Sequence, residues 1–315
     1  MDQPTFSHKW GVIVNPVAGK RRLRKEWINI YRSLKRASLH LSVQSTEYAG
    51  HAIEIAQKLV ETGFRKILIV GGDGTVNEVV NGIYRANIPD KDKVTLALVP
   101  YGTGNDWSRY CGLNKLTNKS ITEVLQRQQT EKIDICTIDY TCNGEQRTQY
   151  FINGAGYGID AAVVNKTNYL KKIFGGHAWV YYISAIIAVF QYQSKNIDIV
   201  SKEKHINDRI FTLSIGNSRY SGGGLVMTQG DPTDNLFYVT AVRQPSFFQI
   251  PSGLSHLFRG KLFEFPLAET IETNQFDVTL PADMIVETDG VVLQGDGSYH
   301  FSIIHHGINM IVNRQ

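Results

Sequence analysis

Residues 67–82 read Ile-Leu-Ile-Val-Gly-Gly-Asp-Gly-Thr-Val-Asn-Glu-Val-Val-Asn-Gly. An apolar run comes first, glycines follow at once, and apolar residues then recur at helical spacing, which predicts a strand, a tight loop and a helix. Glycines in such a loop let the backbone approach phosphate oxygens, and the free amides at the helix start attract anions. The stretch therefore predicts a phosphate-binding turn in which Asp73 holds Mg²⁺.

A simpler interpretation of this loop is that Asp73 only caps the helix that follows it. A second loop favours phosphate binding. Residues 101–106, Tyr-Gly-Thr-Gly-Asn-Asp, follow the next predicted strand and again offer glycines, a hydroxyl, an amide and a carboxylate before a helix. Because parallel strands end at the same edge of a sheet, both loops are expected to border one crevice.

The segments around these loops alternate between the strand and helix patterns. Strands are predicted at 12–14, 39–43, 67–70 and 96–99, and helices at 27–34, at 53–60 and after Thr75. Parallel strands joined by helices are the simplest arrangement for this order, because each crossover requires about a dozen residues. Residues 1–131 are therefore predicted to form a doubly wound α/β domain, with the chain returning to it at about 306–315.

Beyond residue 131 the pattern changes to short alternating strands and turn signals. Examples are the segment 133–138, the dipeptide Asn143-Gly144 and the segment 237–242. Two helical patterns, at about 161–174 and 178–193, interrupt them. Residues 132–305 are therefore predicted to form a β-rich domain, a sandwich or open barrel with added helices.

Composition limits the function classes less than the motifs do. The 315 residues carry a formal charge of +4, and the basic run at residues 20–25 is either a solvated helix face or a surface for phosphate or anionic lipid. The three cysteines lack metal-ligand spacing, and the longest apolar stretch, 178–190, falls short of the ~20 residues that span a bilayer. We expect a cytoplasmic protein that meets lipid only at the inner face of the membrane.

Together, three loops and a fourth segment resemble one family. They are the Asn15-Pro-x-x-Gly19 opening, the two glycine loops above, and residues 151–158, Phe-Ile-Asn-Gly-Ala-Gly-Tyr-Gly. Over nearly its whole length the chain resembles the diacylglycerol kinase catalytic-domain family, which includes soluble bacterial lipid kinases and sphingosine kinases. The Gly-Gly-Asp-Gly-Thr run alone is shared with NAD kinases and, in variant form, with phosphofructokinases.

The resemblance implies a two-domain lipid kinase. Its first domain is expected to be α/β, NAD kinase- and phosphofructokinase-like, and to bind the nucleotide, and its second to be a β-rich sandwich that binds lipid. The implied reaction is the ATP- and Mg²⁺-dependent phosphorylation of a lipid hydroxyl, most simply of diacylglycerol to phosphatidic acid. Alternatives are a sphingoid or other lipid kinase, an NAD kinase-like enzyme, and a catalytically weak regulator that binds ATP or lipid.

The resemblance also implies the residues that contact ATP. They are Asn15, Thr46, Gly72, Asp73, Gly74, Thr75, Glu78 and Thr103. Glu78 is expected to support the loop from its helix, and Asp73 to hold the Mg²⁺ of the nucleotide. Thr46 precedes a small-residue helix start, so it is equally well interpreted as an N-cap.

A structural Mg²⁺ is implied in the second domain, at the turn Asp231-Pro-Thr-Asp234-Asn-Leu236. Two carboxylates, from Asp231 and Asp234, and the backbone carbonyl of Leu236 would be its ligands, and such oxygen ligands suit this ion. The alternative is a surface turn rich in Asp, Pro and Asn that requires no metal.

The family's catalytic base is the Asp of an Asp-Gly-Glu motif, which here corresponds to Asp289-Gly290-Val291. Valine replaces the glutamate, which motivates the weak-regulator alternative. Asp296, followed by Gly297, is a rival candidate. Either Asp-Gly pair is also what a hairpin turn requires.

The acyl chains are expected to lie against the second domain. Phe174, Trp179, Tyr182 and Ile186 would line their pocket, although at helical spacing these residues are more often plain core. The expected partner is the lipid substrate, met transiently at the membrane surface. No nucleic acid is expected, and a homodimer is left open.

Overall fold

The computed structural model describes residues 9–19, 22–36, 39–102, 104–114, 118–158, 194–221, 224–226, 228–281 and 284–314. The strands are β1 (Trp10–Val14), β2 (Leu41–Ser45), β3 (Lys66–Gly71), β4 (Thr95–Pro100), β5 (Thr130–Cys142), β6 (Glu145–Phe151), β7 (Gly154–Gly158), β8 (Lys195–Ser201), β9 (His205–Gly216), β10 (Tyr220–Ser221), β11 (Leu225–Val226), β12 (Phe237–Arg243), β13 (Ala268–Thr273), β14 (Gln275–Thr279), β15 (Val286–Thr288), β16 (Val291–Leu293) and β17 (Ser298–Ile311). The helices are α1 (Arg22–Arg36), α2 (His51–Glu61), α3 (Asp73–Arg85), α4 (Asp106–Tyr110), α5 (Asn118–Arg127) and α6 (Ile250–Phe258).

The first half of the chain contains a parallel sheet in the order β2-β1-β3-β4. Apolar runs form its central strands, and α2 buries a stripe of alanine, isoleucine, leucine and valine at helical spacing. Helices α2 and α3 cross closely, because a Cβ at Gly82 would lie 2.3 Å from the backbone oxygen of Ile53. The predicted α/β fold is thus confirmed, and the close crossing fixes the position of α3.

The second half is an antiparallel, β-rich structure, as predicted. Its hairpin β5–β6 turns at Asn143 and Gly144, whose φ angles of 53° and 78° are those of a type I′ turn. Aromatic side chains fill the interior, where the Phe276 and Phe301 rings stack with centroids 4.7 Å apart and Phe237 packs edge-on against both. This rigid core supports the hairpins at its edge.

Strand β17 belongs to both halves. It runs antiparallel to β5 and β14, and at its end Asn309 and Met310 pair in parallel with β4. Between Ile304 and Ile308 the register with β5 shifts, which marks a bulge. The chain therefore returns to the α/β sheet near its end, while the exact domain boundaries, 1–131 and 132–305, stay a prediction.

Some predicted features differ from the structure or lie outside its described residues. The second strand begins at Leu41 rather than at residue 39, although Leu39 still packs against the core. The predicted helices at 161–174 and 178–193, with the pocket residues Phe174, Trp179, Tyr182 and Ile186, lie outside the described residues. Within the described ranges, no helix combines the length and apolar character that crossing a membrane requires.

Candidate active site

The loops that follow β3 and β4 touch each other directly. The amide of Tyr101 donates to the carbonyl of Gly71 at 2.7 Å, and a Cβ at Gly72 would lie 2.7 Å from the Cα of Gly102. Only glycine allows backbones to approach this closely. The two glycine loops therefore border one crevice, as expected for adjacent parallel strands.

Asp73 opens helix α3 between these loops. Its Oδ1 accepts a hydrogen bond from the backbone N–H of Trp107 at 3.1 Å. Burial raises the pKa of this carboxyl group, the backbone N–H groups of residues 105–107 oppose the rise, and the nearby charge of Asp106 adds to it. A partly buried carboxylate at a helix start, beside backbone amides, fits the Mg²⁺ of a bound nucleotide.

Space for phosphate exists at the same place. A Cβ added to Gly74 would have no heavy atom within 4 Å, in contrast to the crowded Gly72. Asn15 directly follows β1. Its side-chain Nδ2 donates a hydrogen bond to Thr75 Oγ1 at 3.0 Å, and its backbone N–H donates to the carbonyl of Val70. The first loop is thereby tied to the glycine loop, and the local chemistry fits a nucleotide phosphate.

Thr46 and Glu78 lie beside this crevice. The amide of Thr46 donates to the carbonyl of Val14 at 2.9 Å. Glu78 accepts the amides of Gly50 and Ala52, at 3.0 and 3.2 Å, so it holds the start of α2. Since Gly50 occupies the N-cap position of α2, the interpretation of Thr46 as the cap of that helix is wrong. Glu78 thus supports the loop after β2, and Thr103 lies outside the described residues.

Asp289 lies in the tight turn between β15 and β16. Its φ of 46° and that of Gly290, 87°, give the type I′ geometry that favours Asp-Gly. Pairing of β15 with β7 brings the carboxylate to residues 152–154. Asp289 is therefore both a hairpin-turn residue and a candidate site residue, because the turn directs its side chain toward residues 152–154.

Four donors surround the Asp289 carboxylate. Oδ1 accepts the amides of Asn153 and Gly154 at 3.0 and 3.1 Å. Oδ2 accepts the amide of Ile152 at 2.8 Å and Nδ2 of Asn77 at 3.1 Å. Burial outweighs these hydrogen bonds and raises the pKa of Asp289 to about 6. A group with such a pKa is suited to exchange a proton near neutral pH.

Asn77 is the residue that the sequence prediction missed. It follows Asp73 by one helical turn on α3, and Asn81 follows by another, so the three share one face. Both asparagines are buried, at 2% and 1% exposure, and both donate to the carbonyl of Tyr150. Two amides at i and i+4 within an apolar helix are the signal that could have revealed them, because buried amides require partners.

The rival candidate, Asp296, has different surroundings. Its side chain is exposed, and its amide donates to the carbonyl of Thr141 at 2.8 Å. Val291, which replaces the family's glutamate, is 37% exposed on β16. Asp289 is thus the one of the two candidates that contacts helix α3.

The predicted metal turn gathers negative charge. Asp234 accepts the amide of Leu236 at 3.0 Å and the hydroxyl of Tyr238 at 2.8 Å. Burial, followed in smaller measure by the charges of Asp231 and Asp134, raises the pKa of Asp234. A hard cation would relieve this repulsion, so the residues fit Mg²⁺.

A second candidate cation cluster lies at the bulge of β17. Asp134 Oδ1 accepts the amide of His306 at 2.7 Å and lies 2.8 Å from Nδ1 of His305, and the amide of Asn235 donates to Oδ2 at 2.7 Å. Among the described residues, Asp134 and the two histidines form the one group whose ligand atoms lie close enough for a metal ion. Since Asp134 already receives three donors, the cluster also explains how the bulge is held.

Comparisons with known proteins identify relatives of this chain and structures that share its fold. A curated relative, the diacylglycerol kinase of Staphylococcus saprophyticus, is 27% identical over 282 residues, which cover 89% of this chain and 87% of that protein. A solved structure of a diacylglycerol kinase from Bacillus anthracis strain Sterne has a TM-score of 0.70 at 22% identity and covers 98% of both chains. Yeast NADH kinase in complex with NADH has a TM-score of 0.57 at 10% identity and covers 98% of this chain and 84% of that chain. The two structures show the shared fold.

Two family models match in succession. The diacylglycerol kinase catalytic domain matches residues 9–138, and the YegS C-terminal NAD kinase beta sandwich-like domain matches residues 154–309. The first match contains the glycine loops, and the second contains Asp289 and the turn at 231–236. With both domains present in order, the chain belongs to the diacylglycerol kinase catalytic-domain family.

Proposed function

We propose that this protein is a lipid kinase that transfers the γ-phosphoryl group of ATP to the hydroxyl of a lipid alcohol, most simply diacylglycerol, to give phosphatidic acid. The observation that carries the proposal is the hydrogen bond from Asn77 to Asp289. It joins the helix of the glycine loop to a carboxylate that lies 212 residues later in the chain. This contact supports a single site that contains the proposed nucleotide-binding and proton-accepting groups.

Asp289 is the proposed general base. Its pKa of about 6 leaves most of it ionised at neutral pH, so it can accept the proton of the attacking hydroxyl. The four hydrogen bonds use the lone-pair positions of both oxygens of the Asp289 carboxylate. One of these hydrogen bonds must therefore break when the carboxylate takes up a proton. The Asn77 side chain is the most adaptable of these donors, because the other three are backbone amides.

The nucleotide is proposed to lie along the first three loops. Backbone amides around Gly72 and Gly74 would contact its phosphates, and Asp73 would hold the accompanying Mg²⁺. When bound, ATP–Mg²⁺ supplies the phosphoryl group and the positive charge that stabilises it during transfer. The Asp231–Asp234 turn would hold a structural Mg²⁺, with the carbonyl of Leu236 as a third ligand.

The lipid substrate would be met transiently at a membrane surface. The proposal places the enzyme in the cytoplasm, at the inner face of the membrane, where ATP is available. Its acyl chains would lie against the β-rich domain. The resemblance to diacylglycerol kinase from Staphylococcus saprophyticus favours a diacylglycerol over a sphingoid base.

Two other functions have specific support. The fold shared with yeast NADH kinase keeps phosphorylation of a nicotinamide nucleotide as a candidate. Val291, in place of the family's glutamate, favours a regulator that binds ATP or lipid without efficient turnover. These candidates differ in their products, so one assay separates them.

The test is transfer of labelled γ-phosphate from ATP–Mg²⁺ to diacylglycerols, sphingoid bases, ceramides and NAD, with wild type and Asp289→Asn. Labelled phosphatidic acid that is lost in the variant supports the proposal. Labelled NADP, or tight ATP binding with no product on any acceptor, contradicts it in favour of the first or the second alternative.

A further inference from the structure

Residues 246–261 form one helical segment that presents aromatic rings to the outside. A 3₁₀ turn, Phe247–Gln249, leads into α6, and Phe247, Phe248 and Phe258 are 67%, 89% and 59% exposed. Single exposed apolar residues are ordinary, but three large rings on one short element are not. The segment is therefore a candidate interaction surface, called the aromatic segment below.

The exposure of these rings is built into the fold. The side chains of Ser246 and Gln249 form a capping box at the start of the turn, and Pro251 lies in the first turn of α6. Ile250 and Leu262 are buried at the two ends, and Leu262 packs in a small core with Val242 and Phe265. Buried residues at its two ends therefore hold the segment on the protein, while its phenylalanine rings remain exposed.

Charge indicates the kind of partner. Between residues 244 and 261 the sequence contains no Asp or Glu, whereas it contains His256, Arg259 and Lys261. Lys261 Nζ forms a salt bridge with Glu264 Oε1 at 2.9 Å. Arg259, the residue after Phe258, is exposed. Apolar rings bordered by cations are the composition of segments that lie in the interface of an anionic bilayer.

The aromatic segment is connected to the candidate active site, which also favours a membrane that carries the lipid substrate as its partner. A Cβ at Gly260 would lie 2.6 Å from Cβ of Val226, so the end of the aromatic segment packs against β11. A Cβ at Gly224, just before β11, would lie 2.8 Å from Cζ of Arg109. Arg109 in turn donates to the carbonyl of Gly104 at 2.6 Å, in the second glycine loop. The side chains of Val226 and Arg109 thus connect the aromatic segment to the second glycine loop.

We propose that the aromatic segment docks this protein on an anionic lipid bilayer, with Phe247, Phe248 and Phe258 entering the interface and Arg259 contacting lipid phosphates. The proposal rests on the proposed lipid kinase function, since a lipid substrate must be taken from a membrane. It assigns the membrane contact to a segment separate from the basic run at residues 20–25. The lipid is recognised here by its charge and apolar interior rather than by its headgroup structure.

The test is co-sedimentation with vesicles of phosphatidylcholine, with and without phosphatidylglycerol, at low and high salt. The double variant Phe247→Ser/Phe248→Ser is expected to bind both kinds of vesicle at least tenfold more weakly than wild type, because each ring loses its apolar transfer energy. Arg259→Gln is expected to bind about fivefold more weakly, on anionic vesicles alone and at low salt. Val200→Ser, which removes an exposed apolar side chain of β8, is the matched control and is expected to bind as wild type does.

Kinase assays separate this proposal from the proposed function. With a short-chain diacylglycerol dissolved as monomer, the double variant is expected to keep wild-type kcat, and on vesicles it is expected to lose activity in step with binding. Wild-type binding by the double variant would overturn the docking proposal, even if lipid phosphorylation is intact. Binding that depends on the phenylalanines, without phosphorylation of any lipid, would support docking and contradict the kinase. If the wild type is a dimer that the Phe247→Ser/Phe248→Ser variant dissociates, and vesicle binding is unchanged, the docking proposal is overturned. The aromatic segment would then be an interface between copies of this chain.

Discussion

The glycine loop at the start of α3 and the turn between β15 and β16 each hold a partly buried aspartate, but they hold it differently. Asp73 accepts the amide of Trp107 through Oδ1. Asp289 accepts four hydrogen bonds, two on each oxygen. Burial raises the pKa of both carboxyl groups, and for Asp289 it reaches about 6.

The difference separates two chemical roles. Asp73 lies at the crevice beside the backbone N–H groups of residues 105–107, which suits its proposed role as a ligand of the nucleotide's Mg²⁺. Asp289 is held by four donors and has a pKa near neutral pH, which suits its proposed role as the general base. Asn77 connects the two regions, because it lies one turn after Asp73 and donates to Asp289.

The largest effect is expected for Asp289→Asn. An amide cannot accept the proton, so kcat for lipid phosphorylation should fall by about 10³-fold. The new NH₂ group also faces N–H donors, which should lower the free energy of unfolding by about 1–3 kcal/mol. Labelled-phosphate transfer and urea unfolding measure the two effects. Asp296→Asn is the matched control, because Asp296 is exposed, and an equal loss in that variant would mean that the base was misassigned.

Asp73→Asn should lower activity by about 10²-fold and raise the Mg²⁺ concentration at half-maximal rate, because one charge of the metal site is lost. The measurement is a Mg²⁺ titration at saturating ATP. Asp289→Asn serves as the comparison and should leave the Mg²⁺ dependence of ATP binding unchanged. If both variants shift that dependence equally, the two carboxylates do not have separate roles.

Asn77→Leu should lower kcat about tenfold and change its pH profile. Wild-type activity is expected to rise with pH through about 6, since Asp289 must lose its proton to act as a base. Without the Asn77 donor the ionised form is less stable, so this limb should move to higher pH by about half a unit to one unit.

Asn81→Leu is the matched control for this change. Asn81 donates to the carbonyl of Tyr150 and to Oδ1 of Asn77, at 2.9 and 3.2 Å, yet it has no hydrogen bond to Asp289 among the described residues. Both variants should therefore lose similar stability, and the pH limb should move further in Asn77→Leu, which alone removes the donor to Asp289. Profiles of kcat against pH from 5 to 9 decide the point, and a limb that moves equally in both variants would show a general structural effect.

The smallest effect is expected for Val291→Glu, which restores the family's glutamate. Val291 is 37% exposed on β16, so the change should alter stability by less than about 0.5 kcal/mol. Activity should change by less than about threefold, because the hydrogen bonds of Asp289 come from α3 and residues 152–154. Steady-state kinetics test this, and a tenfold gain would mean that the valine limits catalysis.

Local patterns predicted much of this molecule. The apolar runs and glycine loops predicted the parallel strands and the convergence of the loops after β3 and β4, because both depend on short-range geometry. Asn143-Gly144 predicted the hairpin β5–β6 for the same reason. The start of α2 was less predictable, since Glu78, from a different helix, binds its first amides.

The sequence by itself determined the parallel strands of the first half, the helices that join them and the tight Asn-Gly and Asp-Gly turns, because these follow from the spacing of apolar residues and from the backbone freedom of glycine. Only the tertiary structure decided which turn faces the crevice. Asp289-Gly290 and Asp296-Gly297 look alike in sequence, yet pairing of β15 with β7 buries the first carboxylate among donors of residues 152–154 and α3. Burial and long-range hydrogen bonds create the raised pKa of Asp289, and neither exists until distant segments have packed together.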